Sequence, residues 1–151
     1  MTTGQKVDSL ISDLQSAVDE SVAFYGGPGA TIEKQIGYWT PREVFCHLIW
    51  WHEATAQGIE SVASGGEPYK YHASGDQMNA RAVGRKSGRT MAQLIDEFEG
   101  VHQRLVNAAK TITNPEAIVL VNAEGTGLSA AQRLERMAKH WKGHLDEVKA
   151  L

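Results

Sequence analysis

The stretch "TPREVFCHLIWWHEA", residues 40–54, contains the start of a helix and the face it must bury. Thr40 can accept from the free N–H groups of the first turn, Pro41 suits the first helical position, and Glu43 can reach back to complete a capping box. Behind this cap Val44, His47, Leu48 and Trp51 recur at three- and four-residue steps and therefore share one face. That face is apolar apart from a single imidazole. A helix of this kind is stable only against other helices or a sheet, and the rest of the chain indicates which.

Upstream, residues 5–25 place Val7, Leu10, Ile11, Leu14, Ala17, Val18 and Val22 on a helical stripe that ends at "GGPG", residues 26–29. Downstream, the second helix runs to about Ser64, where "SGGEP" stops it. Residues 65–89 read as loop, with "DQMNARAV" at 76–83 able to form a short helix inside it. A third long helix opens on the capping pair Thr90 and Gln93 and carries Leu94, Ile95, Phe98, Val101, Leu105, Val106 and Ala109 as its stripe. Asn114 before Pro115 begins a brief helical turn through "EAIVL". The one strand-like run, "AIVLV" at 117–121, is too short to make a sheet alone and reads as buried loop or helix. After "NAEGTG", Ser129 and Gln132 cap a last helix whose stripe is Leu134, Met137, Ala138, Trp141, Leu145 and Val148.

Four long amphipathic helices without a convincing strand predict an all-α four-helix bundle. A connection of about 25 residues between the second and third long helices lets the chain cross the bundle and sets those two parallel. The order is then up-down-down-up, with the second and last helices antiparallel.

The whole chain narrows the function class. Its 151 residues predict one domain over 1–151, able to bury a core without disulfides or structural metals. A net charge of −3 with both signs interspersed carries no nucleic-acid footprint. The opening "MTTGQKVDSL" lacks the order of a signal peptide, no apolar run reaches membrane-spanning length, and the single cysteine, Cys46, cannot bridge internally. A cytoplasmic protein with no membrane partner is expected.

The last helix carries His140 and His144 four residues apart, on one face at the margin of its apolar stripe. Two imidazoles are half a metal site, and His47 is the candidate third ligand. It lies roughly 9 Å from the start of the second helix, while His144 and His140 lie roughly 10 to 17 Å from the end of the last. Antiparallel helices therefore bring the three rings level. His52 points about 140° away from His47 and cannot serve the same centre. Such a pair also arises by chance among six histidines, so ligands and helix-margin polar residues both remain open on spacing alone. His102 reads as a hydrogen-bonded residue at the core edge, His72 as a loop residue, and Trp39, Trp50, Trp51 and Trp141 as core or as an apolar wall. Cys46 and His47 are adjacent on a helix, face about 100° apart, and make no dyad. Glu43 reads first as a cap.

The stretches "YWTPREVFCHLIWW" (38–51) and "HWKGHLDEV" (140–148) resemble the DinB/YfiT-like superfamily of four-helix bundles, a group of metalloenzymes. The resemblance implies a metal set of His47, His140 and His144, a divalent ion such as zinc or nickel, and a hydrolase or thiol S-transferase acting on a small molecule, with low-molecular-weight thiols among the substrates. Because related bundles often pair, it also implies a homodimer. A second likeness, carried by "PREVFCHLIWWHEA", "GEP", "DQMNARAV" and "LIDEFEGVHQRLV", is to the DfsB family, which includes a colibactin self-resistance protein. That branch implies metal-independent small-molecule or toxin resistance, or sequestration.

Overall fold

A computed structural model of the chain describes residues 2–151. Its helices are α1 (Thr3–Tyr25), α2 (Pro41–Ala63), α3 (Gly75–Arg85), α4 (Met91–Ala109) and α5 (Ala130–Lys149). All five start with the same device. The side chains of Thr2, Thr40, Ser74, Thr90 and Ser129 each accept from the amide three residues on, and Gln5, Glu43, Gln77, Gln93 and Gln132 reach back to the cap amide. Each box satisfies two donors that a helix start leaves free, so these boundaries are set locally.

The long helices α1, α2, α4 and α5 form the bundle. Along α2, Thr55 meets Arg133 and, eight residues earlier, His47 meets His144, so residue numbers rise on one helix as they fall on the other. Thus α2 and α5 are antiparallel. Phe45 packs on Phe98, His52 on His102, and Glu60 pairs with Arg104, which makes α2 and α4 parallel. Gln15 reaches His102 and Gly26 approaches Ile95, so α1 runs counter to α4. The order is up-down-down-up, as the long crossover predicts. At its centre the rings of Phe45, Phe98 and Trp141 pack on one another with centroids 4.8 to 5.7 Å apart.

The stretch read as buried loop or helix is a strand. β2 (Ile118–Val121) is the middle of a three-stranded sheet, parallel to β1 (Tyr69–Lys70) and antiparallel to β3 (Gly127–Ser129). Five residues make no sheet alone, but this run has partners. Its neighbours are two and three residues long and too short to show a period of their own. The Asn122 side chain accepts from the amides of Glu124 and Thr126 and closes the β2–β3 hairpin, with Gly125 at φ 85. The expected short helix inside 65–89 is present as α3, which packs on α2.

Gly58 fixes how closely the sheet sits on the bundle, because a Cβ there would fall 2.1 Å from the carbonyl oxygen of Val119. Among the described residues, no helix is long and apolar enough to cross a membrane.

Candidate metal centre

His47 is placed by the Thr40–Glu43 box, which fixes the start and therefore the phase of α2. His140 and His144 come from the third and fourth turns of α5. Where the two helices meet, Nε2 of His140 lies 3.3 Å from Nε2 of His47 and 2.9 Å from Nε2 of His144. One ring nitrogen from each residue lies within 4.8 Å of the other two. Tetrahedral ligation at about 2.0–2.1 Å places ligand nitrogens about 3.3 Å apart, so the trio is of the right size. The three-imidazole donor set suits a borderline divalent ion.

Nδ1 of His47 and Nδ1 of His144 are buried without a hydrogen-bond partner. Nδ1 of His144 nevertheless lies 3.2 Å from the Glu147 carboxylate, close enough to attract it but not aligned as a hydrogen bond. A carboxylate behind a ligating imidazole is the usual means of fixing its tautomer and orientation.

Burial sets the protonation of the trio. It pushes His47 down to about 3, and the nearness of His144 and His140 adds to the effect. It pushes His140 down to about 4, and the nearness of His144 and of the Arg133 cation adds to the effect. His144 is lowered by burial too, against an opposing pull from Glu147. All three rings are therefore neutral at pH 7, the form that ligates metals.

Aromatic residues wall the centre. The turn before α2, in which Ile36 and Trp39 exchange backbone hydrogen bonds around Gly37 at φ 61, lays Trp39 over His47 with centroids 5.1 Å apart. The other face of this turn and α3 enclose a groove of about 540 Å³ lined by Ile36, Tyr38, Trp39, Asp76, Asn79 and Ala80. Trp51, one turn beyond His47, donates from Nε1 to Asn79 Oδ1 at 2.7 Å and so ties α3 to the site.

The remaining histidines take other roles. His52, fully buried on the opposite side of α2, accepts at Nδ1 from Trp141 Nε1, which fixes its proton on Nε2. That Nε2–H then donates to Nδ1 of His102 at 2.9 Å, and Nε2–H of His102 donates to Gln15 Oε1 at 2.7 Å. His102 is thus the packed, hydrogen-bonded residue expected. His72 is an exposed loop residue, and Cys46 is wholly buried. Glu43 is held by its cap.

Sequence reasoning passed over Asn79 and over two residues that contact Trp51, namely Arg133, whose guanidinium lies over its ring, and Tyr71, whose ring meets it edge-on. Arg133 had a readable signal, since it stands seven residues before His140 and therefore on the same face of α5. Tyr71 lies in a part of the crossover where no period orders the side chains, and Asn79, although on α3, is an uncharged residue on a short helix whose neighbours the sequence does not reveal.

A sequence profile of the DinB superfamily matches residues 11–148. The chain belongs to the DinB superfamily. The resemblance carried by residues 38–51 and 140–148 therefore holds at superfamily level. No curated protein sequence matches this DinB-superfamily chain. Among solved structures it is similar to a mutant of the mycothiol-dependent maleylpyruvate isomerase, with a TM-score of 0.77 at 14% sequence identity. That match covers 100% of this chain and 65% of the isomerase chain, so the two share a fold over part of the longer protein.

Proposed function

We propose that this protein is a metal-dependent enzyme in which His47, His140 and His144 hold a divalent ion, zinc or nickel, and that it acts on a small molecule as a hydrolase or thiol S-transferase. The convergence of three neutral Nε2 atoms carries this reading. A divalent ion in such a set supplies Lewis acidity, making a water or thiol acidic enough to lose its proton near neutral pH. Three protein ligands leave a coordination position for substrate, as catalytic rather than structural sites do. The chain contributes the rest: Glu147 steadies the His144 ring, Trp39 shields His47 from water, and the groove between Trp39 and α3 lies against that same indole and has room for a small molecule. The thiol option is supported by the neighbouring fold, since the isomerase named above depends on mycothiol.

Metal analysis of the purified protein tests the proposal. Near-stoichiometric zinc or nickel is expected, lost in the His47→Ala/His140→Ala/His144→Ala variant. A second reading, metal-independent capture of a small molecule, is favoured by the same groove. It takes precedence if the protein is purified metal-free, takes up neither ion on addition, and yet retains a small ligand.

A further inference from the structure

Two cationic side chains are buried among the described residues, and they are treated differently. Lys86, 8% exposed, has the Glu97 carboxylate at 2.5 Å. Arg133, 7% exposed, pairs with no carboxylate among the described residues. Its Nε donates to Thr55 Oγ1 at 3.1 Å, its guanidinium lies over the Trp51 ring at 5.5 Å, and its Nη2 is buried with no partner. The Thr55 hydroxyl donates in turn to the Trp51 carbonyl at 2.8 Å, which leaves it free to accept from Nε and holds the guanidinium in place. Burial lowers the Arg133 pKa to about 10, and nearby Arg136 adds to the effect. A buried cation without an anion is costly, and such groups are normally paired.

The position of this guanidinium supplies a reason for the cost. Arg133 lies seven residues before His140, about 10 Å along α5, and Thr55 lies eight residues after His47, about 12 Å along α2. The histidine trio and the guanidinium therefore occupy two levels of one seam between antiparallel helices, with Trp51 between them. Both Trp51 and Tyr71, whose rings meet edge-on at 5.3 Å, are only half-buried, so the seam comes nearest to solvent at these two rings.

We propose that Arg133 is the anion-recognition residue of the small-molecule site, pairing with a carboxylate of the ligand while the ligand's reactive end meets the histidine trio about 10 Å away. The inference rests on the proposed function for the position of the reactive end. It does not need it for the carboxylate subsite itself. A planar guanidinium offers a carboxylate two parallel hydrogen bonds. A single buried cation among aromatic rings, with Arg136 exposed to solvent, balances one negative charge, which favours a carboxylate over a doubly charged phosphate.

Calorimetric titration of the full chain tests this with 8-mercaptooctanoate, whose thiol and carboxylate can span the seam, and with 8-mercaptooctanol, which lacks the charge. On the zinc-loaded protein the acid should bind about tenfold or more tightly than the alcohol. Arg133→Met should abolish that preference, leave alcohol binding unchanged and keep or raise the melting temperature, because no internal ion pair is lost. Arg133→Lys keeps the charge but not the fork and should retain part of the preference. Octanoate on the metal-free protein isolates the subsite: binding that vanishes in Arg133→Met upholds it even if the chain takes up no zinc. Equal affinity of the native protein for acid and alcohol, together with no octanoate binding, overturns the proposal. So does an undiminished preference in Arg133→Met.

Discussion

At the residue scale, the Glu147 carboxylate beside Nδ1 of His144 has the most direct experimental consequence. Glu147→Gln removes the charge that favours a proton on Nδ1 while keeping the shape of the side chain. It is expected to weaken zinc binding by about 10- to 100-fold, read by competition with a chromophoric chelator, with little change in helical circular dichroism. That the three rings meet was readable because helical spacing puts His140 beside His144 and their levels match that of His47, whereas a ligand role was implied only by the resemblance. Glu147 was not readable, since a carboxylate three residues beyond a helical histidine is ordinary on a solvated surface. The partners of His52 were hidden for a related reason. Sequence spacing correctly separates it from His47, but the hydrogen bonds to Trp141 and His102 depend on which helices adjoin α2.

At the element scale, the helix starts were legible because their chemistry is local: each capping pair lies within four consecutive residues. The sheet was not, because its pairing joins segments that are far apart and individually too short to carry a pattern. Its contact with α2 shows how tightly the two layers are matched. Gly58→Ala places a methyl group against the Val119 carbonyl and is expected to destabilise the fold by about 1–3 kcal/mol or more. Gly100→Ala, on the exposed face of α4 with nothing within 4 Å, is expected to do the opposite, gaining about 0.5–1 kcal/mol. Urea denaturation of the two variants gives both signs in one experiment.

At the scale of the whole molecule, the topology was inferred from one number, the length of the crossover, and the contacts along α2 agree with it. Five histidines, three of them buried and His140 and His144 half-buried, also have lowered pKa values, with desolvation as the leading cause. An unfolded histidine takes up its proton near pH 6.5, whereas these folded ones resist it. Between the two values the unfolded state binds more protons, so stability is complete above about pH 6.5 and falls as the pH drops below it. The slope should approach about 1.4 kcal/mol per pH unit for each histidine involved. Guanidinium denaturation of the metal-free protein at pH 7.5 and 5.5 measures it. His52→Gln/His102→Gln, which removes two of the five, should give a shallower slope, and an unchanged slope would show that those two rings do not contribute.

His47 and His140 stand 93 positions apart in the chain. Between them lie the crossover, α3, α4, the sheet and half of α5, and each of these must be in place before the rings meet. Local helix formation takes microseconds, while closing so long a loop is a late event. In a stopped-flow refolding experiment with cobalt(II) present, the visible absorption of the coordinated ion should therefore lag behind the recovery of far-ultraviolet ellipticity, timing the docking of the last helix.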